Sequence, residues 1–115
     1  MNADNSEVVK SKPFVLAGCL EYVSGLVVTK VIMKKITGYV TVVADDSGKP
    51  HAEQISAFDT FIQIVEGRIE LAVNEVTHAL DTGQSIIIPA HSRSCIKASP
   101  RFKMLVTVIK SGYEE

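Results

Sequence analysis

The stretch Phe61–Ser94, FIQIVEGRIELAVNEVTHALDTGQSIIIPAHSRS, decides how the rest of the chain is read. In RIELAV, Ile69, Leu71 and Val73 alternate with Arg68, Glu70 and Ala72, a period of two that puts one face in a core and the other in water. Asn74-Glu75 then fits a two-residue turn into VTHAL, because Asn tolerates a positive φ. Upstream, Ile62 and Ile64 share a face with Thr60, and the run ends on Gly67, a residue suited to a sharp turn. Downstream, Gly83 precedes the aliphatic run SIII, and Pro89 stands where a strand can end without a ladder donor. The stretch therefore reads as short strands joined by tight turns.

The same grammar extends in both directions. FVLA, LVVTKVIM, YVTVVA, SCIKAS and KMLVTVI are of strand length and are bounded by Gly, Pro, Asn, Asp or Ser. Only GCLEYVS, with Leu16, Leu20 and Val23 near helical spacing, has room for a turn or so of helix. An all-β protein is expected, closed into a barrel or sandwich that leaves few strand edges unpaired. Residues 1–12 are polar and read as an arm, mobile or docked, while residues 13–115 form a single domain.

A chain of 115 residues supports one core. With 46% hydrophobic and 22% charged residues and a formal net charge of -1, it lies in the globular range and has no bulk attraction for nucleic acid or an anionic membrane. Its apolar runs fall short of the roughly 18 residues that a membrane-crossing helix needs. Cys19 and Cys95 form no CxxC pair, and MNADNSEVVKSKPF lacks the apolar stretch of a secretory signal, so a soluble, reduced, cytoplasmic protein is expected.

Phe61–Ser94 also resembles the core of small single-domain cupins of the cupin 2 conserved-barrel type. Gly67 matches the glycine that ends the first motif, Gly83 the one that opens the second, and Pro89 follows at the expected spacing. The similarity spans about residues 50–109 and implies an antiparallel cupin, or jelly-roll, β-barrel. In that family two histidines and a glutamate of the first motif, with one histidine of the second, hold a divalent metal. Those places fall here on Gln54, Ser56, Thr60 and Ser94, and His91 stands where a turn glycine is expected. Shifting the first pair by one residue gives Glu53 and Ile55, a site no better suited to a metal.

An amide and three hydroxyls lack the charge or basicity that offsets the dehydration of a divalent ion. No metal and no cofactor are expected. The residue chemistry instead suits a barrel that binds a small polar molecule through Gln54, Ser56, Thr60, Ser94 and His91. The strand phase turns Ser94 inward with Ile96 and Cys95 outward. The alternative is an enzyme with a displaced site at His51, Glu53 and His91, either a metal-dependent oxygenase or isomerase or a metal-free isomerase or lyase. A third reading is an interaction module with a filled barrel.

Other residues take plain roles. His78 reads as a surface residue, Met33 and Met104 as core, and Lys34-Lys35 and Asp45-Asp46 as solvated strand ends and turns. A homodimer is expected, with Phe14–Ala17 as a leading strand at or near its interface.

Overall fold

Runs rich in Val, Ile and Thr, whose branched Cβ suits a pleated chain, form the long strands. The computed structural model describes residues 7–110 and the backbone of Ala3–Asp4; the other ends of the expected arm and domain, 1–2, 5–6 and 111–115, lie outside the described residues. The strands are β1 (Ala3–Asp4), β2 (Val27–Lys35), β3 (Gly38–Asp45), β4 (Gln54–Ile55), β5 (Thr60–Glu66), β6 (Arg68–Val73), β7 (Val76–Asp81), β8 (Ser85–Ile88), β9 (Arg93–Ile96) and β10 (Phe102–Ile109). They form a six-stranded sheet in the order β1-β2-β3-β10-β5-β8 and a four-stranded sheet in the order β4-β9-β6-β7. Apart from the parallel β1–β2 pair, the strand pairs are antiparallel.

The register selects which side chains face inward. Met104 sits opposite Val43 and Ile64, and Val106 opposite Thr41 and Ile62, so alternate residues of three strands share one face. From the smaller sheet Ile69, Leu71 and Ile96 meet them, and all three are buried. Fully burying one such aliphatic side chain contributes about 1.5–3 kcal/mol before entropy is subtracted.

The turns follow the local chemistry. Asn74 and Glu75 both adopt positive φ, at 48° and 74°, which is the primed turn that matches the twist of the β6–β7 hairpin. Gly67, between β5 and β6, has φ +90°, and a Cβ there would lie 2.8 Å from the Arg101 carbonyl oxygen. Only glycine meets both conditions without strain.

Three expectations are corrected. Phe14–Ala17 is not a strand; Leu16–Gly18 makes one 3-10 turn that overlaps GCLEYVS only at Gly18. The long-range partners of the segment explain this, because Lys103 Nζ donates to Ala17 O at 2.6 Å and Tyr22 Oη to Glu66 Oε1 at 3.3 Å. These bonds tie the segment to β10 and to the end of β5 in the six-stranded sheet.

Met33 is exposed, whereas Met104 is buried. A register shift in β2 between Val31 and Met33 moves Met33 opposite Val40, onto the outer face. His78 lies opposite Leu71 on the inner side of edge strand β7 and is half-buried.

The described part of the arm runs beside β2. Ala3 and Asp4 pair with Thr29 and Lys30, and Val8 N donates to Ile32 O at 3.0 Å. No helix among the described residues is long and apolar enough to cross a membrane.

Candidate functional site

Between the two sheets lies a cavity of about 380 Å³. Its floor is aliphatic, with Ile62, Leu71, Ile88, Ile96 and Met104 all bordering it and all buried. Polar groups ring the rest: Thr29 from β2, Tyr39 and Thr41 from β3, Thr60 from β5, Gln54 from β4 and Ser94 from β9. They gather because each occupies an inward position of its strand, and Gln54 and Ser94 are direct partners in the β4–β9 pair.

Three of the four positions that the cupin resemblance assigns to metal ligands therefore share one space, Gln54, Thr60 and Ser94. Ser56 does not border it. Its hydroxyl accepts the Phe58 N–H at 3.1 Å and its carbonyl accepts the His91 N–H at 2.6 Å, so the residue shapes the β4–β5 connection instead. His91 also lies off the cavity, exposed in the β8–β9 turn with φ 69°, the left-handed conformation expected of the glycine it replaces.

The displaced site is not assembled. Glu53 is exposed and does not border the cavity, His91 stands in its own turn, and only His51 borders the space. Among the described residues no group of three or more His, Cys, Asp or Glu side chains could hold a metal ion. Gln54, Thr60 and Ser94 offer neutral oxygens and an amide, a donor set that does not suit a divalent transition metal. Cys95 also borders the cavity, although its neighbour Ser94 takes the inward phase with Ile96.

His51 has a partner that sequence reasoning assigned to solvent. Its Nε2 lies 2.6 Å from Asp45 Oδ2, and Asp45 is 2% exposed. Ser47 donates both its N–H and its hydroxyl to the other carboxylate oxygen, each at 2.7 Å. Burial acts to raise the Asp45 pKa, but the hydrogen bonds from His51 and Ser47 outweigh it and hold the carboxyl below its ordinary range. The group is thus an ionised acceptor, and Nε2 carries the proton it accepts. The imidazole is fixed further by its backbone N–H, which donates to Ile96 O at 2.9 Å, and by the Phe102 ring, centred 6.2 Å away.

A signal for Asp45 was present in the sequence. Tyr39, Thr41, Val43 and Asp45 share one phase, so the alternation that turns Val43 inward turns Asp45 inward as well. The acidic pair Asp45-Asp46 disguised it, because a charged doublet at a strand end usually faces water. The same phase holds Tyr39 and Thr41, two further cavity residues that the motif comparison passed over.

No family model matches the sequence, and no curated protein matches it either. Solved structures do. One is a conserved protein of unknown function from Streptococcus pyogenes, 22% identical, with TM-score 0.84 over 91% of this chain and 92% of that one. A cupin superfamily protein from Desulfitobacterium hafniense is 20% identical, with TM-score 0.82 over 90% of this chain and 95% of that one. A cupin 2 conserved barrel domain protein from Leptotrichia buccalis is 24% identical, with TM-score 0.79 over 84% of this chain and 47% of that one. Likeness at these identities carries architecture and leaves function to the site. Two largely antiparallel sheets facing each other across a cavity, with TM-scores of 0.82 and 0.79 to these two cupin structures, give this chain the cupin fold.

Proposed function

We propose that the barrel binds a small polar organic molecule in the cavity between its sheets, without the metal that the cupin resemblance would bring. The observation that carries this reading is the convergence of Gln54, Thr60 and Ser94 on one space of about 380 Å³. That volume lies near the lower end of the roughly 300–1,000 Å³ range of small-molecule pockets. An aliphatic floor with a few polar groups at fixed positions is the usual chemistry of such a site, with burial supplying affinity and hydrogen bonds supplying orientation.

The test is an NMR titration of the full chain with cyclohexanol as a compact probe that has both an apolar body and a hydroxyl. Amide shifts are expected to concentrate on Thr60, Ile62, Ser94 and Ile96, and Ser94→Phe, which fills the space, is expected to abolish them. Shifts confined to the outer surface, or unchanged in Ser94→Phe, would overturn the reading.

A further inference from the structure

We propose that the Asp45–His51 pair is the proton-accepting arm of this cavity and restricts its ligand to an uncharged molecule that presents a hydroxyl to Nδ1 of His51. The inference rests on the cavity being a binding site and adds the chemistry of what it takes.

Three observations converge. First, Nε2 of His51 is occupied by Asp45 at 2.6 Å, which leaves Nδ1 as the ring nitrogen available to a guest, and His51 borders the cavity. In the neutral ring a proton on Nε2 makes Nδ1 a lone-pair acceptor. Second, the ring is held on several sides, by the Asp45 carboxylate, by its own backbone bond to Ile96 O and by the Phe102 ring. An acceptor fixed in advance loses little freedom when a ligand binds.

Third, fixed charges are kept off the cavity wall. None of the described residues bordering the cavity is Lys, Arg, Asp or Glu. The Asp45 carboxylate lies behind the imidazole, 2% exposed and satisfied by His51 and both Ser47 donors, and the Lys110 ammonium lies over the Tyr39 ring, 5.4 Å from its centroid, without bordering the cavity. With His51 neutral the pair carries one negative charge, and with His51 protonated it carries none, so in neither state does the pair present a net positive charge to an anion, and Lys110, on the Tyr39 ring, does not border the space. A cation fares little better, because the carboxylate does not border the cavity and the ammonium would lose its water without direct contact with an anion. An uncharged ligand avoids both costs. Its hydroxyl donates to Nδ1, and Thr29, Thr41, Thr60 and Ser94 can serve as donors or acceptors for further oxygens.

The experiment compares three probes of one skeleton, cyclohexanol, cyclohexanecarboxylate and cyclohexylammonium, in NMR titrations of the full chain at pH 7.5. Cyclohexanol is expected to bind at least about tenfold more tightly than either charged probe. His51→Phe keeps a ring against Phe102 but removes the acceptor, and should weaken cyclohexanol by about tenfold. Nitrogen NMR of the unmodified protein gives a readout independent of any variant: His51 should hold its proton on Nε2, and its Nδ1 resonance should move when cyclohexanol is added. Equal binding of a charged probe, an unchanged affinity in His51→Phe, or a proton found on Nδ1 would overturn the arm while leaving the cavity a binding site. If no probe shifts the cavity amides, the binding reading fails and the arm fails with it.

Discussion

Asp45 shows how neighbours settle the charge of a single residue. Taking a carboxylate out of water favours its protonation, yet three hydrogen bonds from His51 and Ser47 favour the ionised form and prevail. Because its folded pKa is lowered, the stability it contributes is fully present above the unfolded value of about 3.9 and is lost as pH falls through the folded value. Asp45→Asn keeps the shape but turns an amide N–H towards donors. It should cost about 1.5–3 kcal/mol at pH 7, read as a drop in the urea midpoint, and the gap to the unmodified protein should close as the pH is taken below about 4. A gap that stays constant from pH 7 down to pH 2.5 would mean that an ionised Asp45 is not the source of the stabilisation.

Among the elements, the segment around Leu16–Gly18 has no regular partner strand and is held by side chains instead. The Tyr22 ring lies under the Arg101 guanidinium carbon at 4.6 Å and under Lys103 Nζ at 4.8 Å, and its hydroxyl donates to Glu66. Burial first, and then the Glu66 carboxylate, push the Tyr22 pKa up to about 12. A raised pKa means that this contribution is complete below the unfolded value of about 10 and fades as pH rises through about 12. Tyr22→Leu should release the segment without unfolding the barrel. Hydrogen exchange at the Gly18 and Cys19 amides, which donate to Val15 O and Leu16 O, should then speed up roughly tenfold while the Val106 amide in β10 stays protected. Equal acceleration at Val106 would show that the segment and the barrel open together. The contrast between this segment and the β6–β7 hairpin explains what the sequence could and could not disclose. The hairpin is local: alternation fixes Ile69 and Leu71 inward, Asn74 accepts a positive φ, and Gly67 and Gly83 take left-handed conformations where the chain turns. Thr60 and Ser94 could be placed at the cavity for the same reason, since strand phase is a local property. FVLA has the composition of a strand, but its conformation depends on Lys103, 86 residues away from Ala17, and no local pattern reports that bond. Met33 was misplaced by a single bulge in β2, which reverses phase without leaving a Gly or Pro to mark it. Ser56 was misplaced because spacing located its backbone, whereas its hydroxyl is turned to the Phe58 N–H.

At the scale of the whole molecule, the barrel brings distant strands to one space and leaves the donor types to decide what that space can hold. Gln54 and Ser94 are neighbours on adjacent strands of the four-stranded sheet, and Thr60 reaches the same cavity from the six-stranded one. If donor chemistry alone separates this cavity from a transition-metal site, changing the donors should be enough to create one. Gln54→His, Thr60→Glu and Ser94→His together supply two imidazoles and a carboxylate, a set that suits Co²⁺ or Zn²⁺ and keeps positions open for water. Ser56 is left unchanged, because its hydroxyl is engaged by Phe58 N–H outside the cavity. The triple variant should bind Co²⁺ with a dissociation constant on the order of micromolar and develop visible absorption bands, whereas the unmodified protein should bind at least about a hundredfold more weakly. Glu is the informative member of the set, since replacing it with Gln at position 60 removes the only new negative charge and should weaken binding by about tenfold or more. A triple variant that keeps its β-sheet circular dichroism yet takes up no Co²⁺ would mean that the three side chains border the same cavity without pointing at a common centre, and the comparison with metal-binding cupins would then extend to the backbone alone.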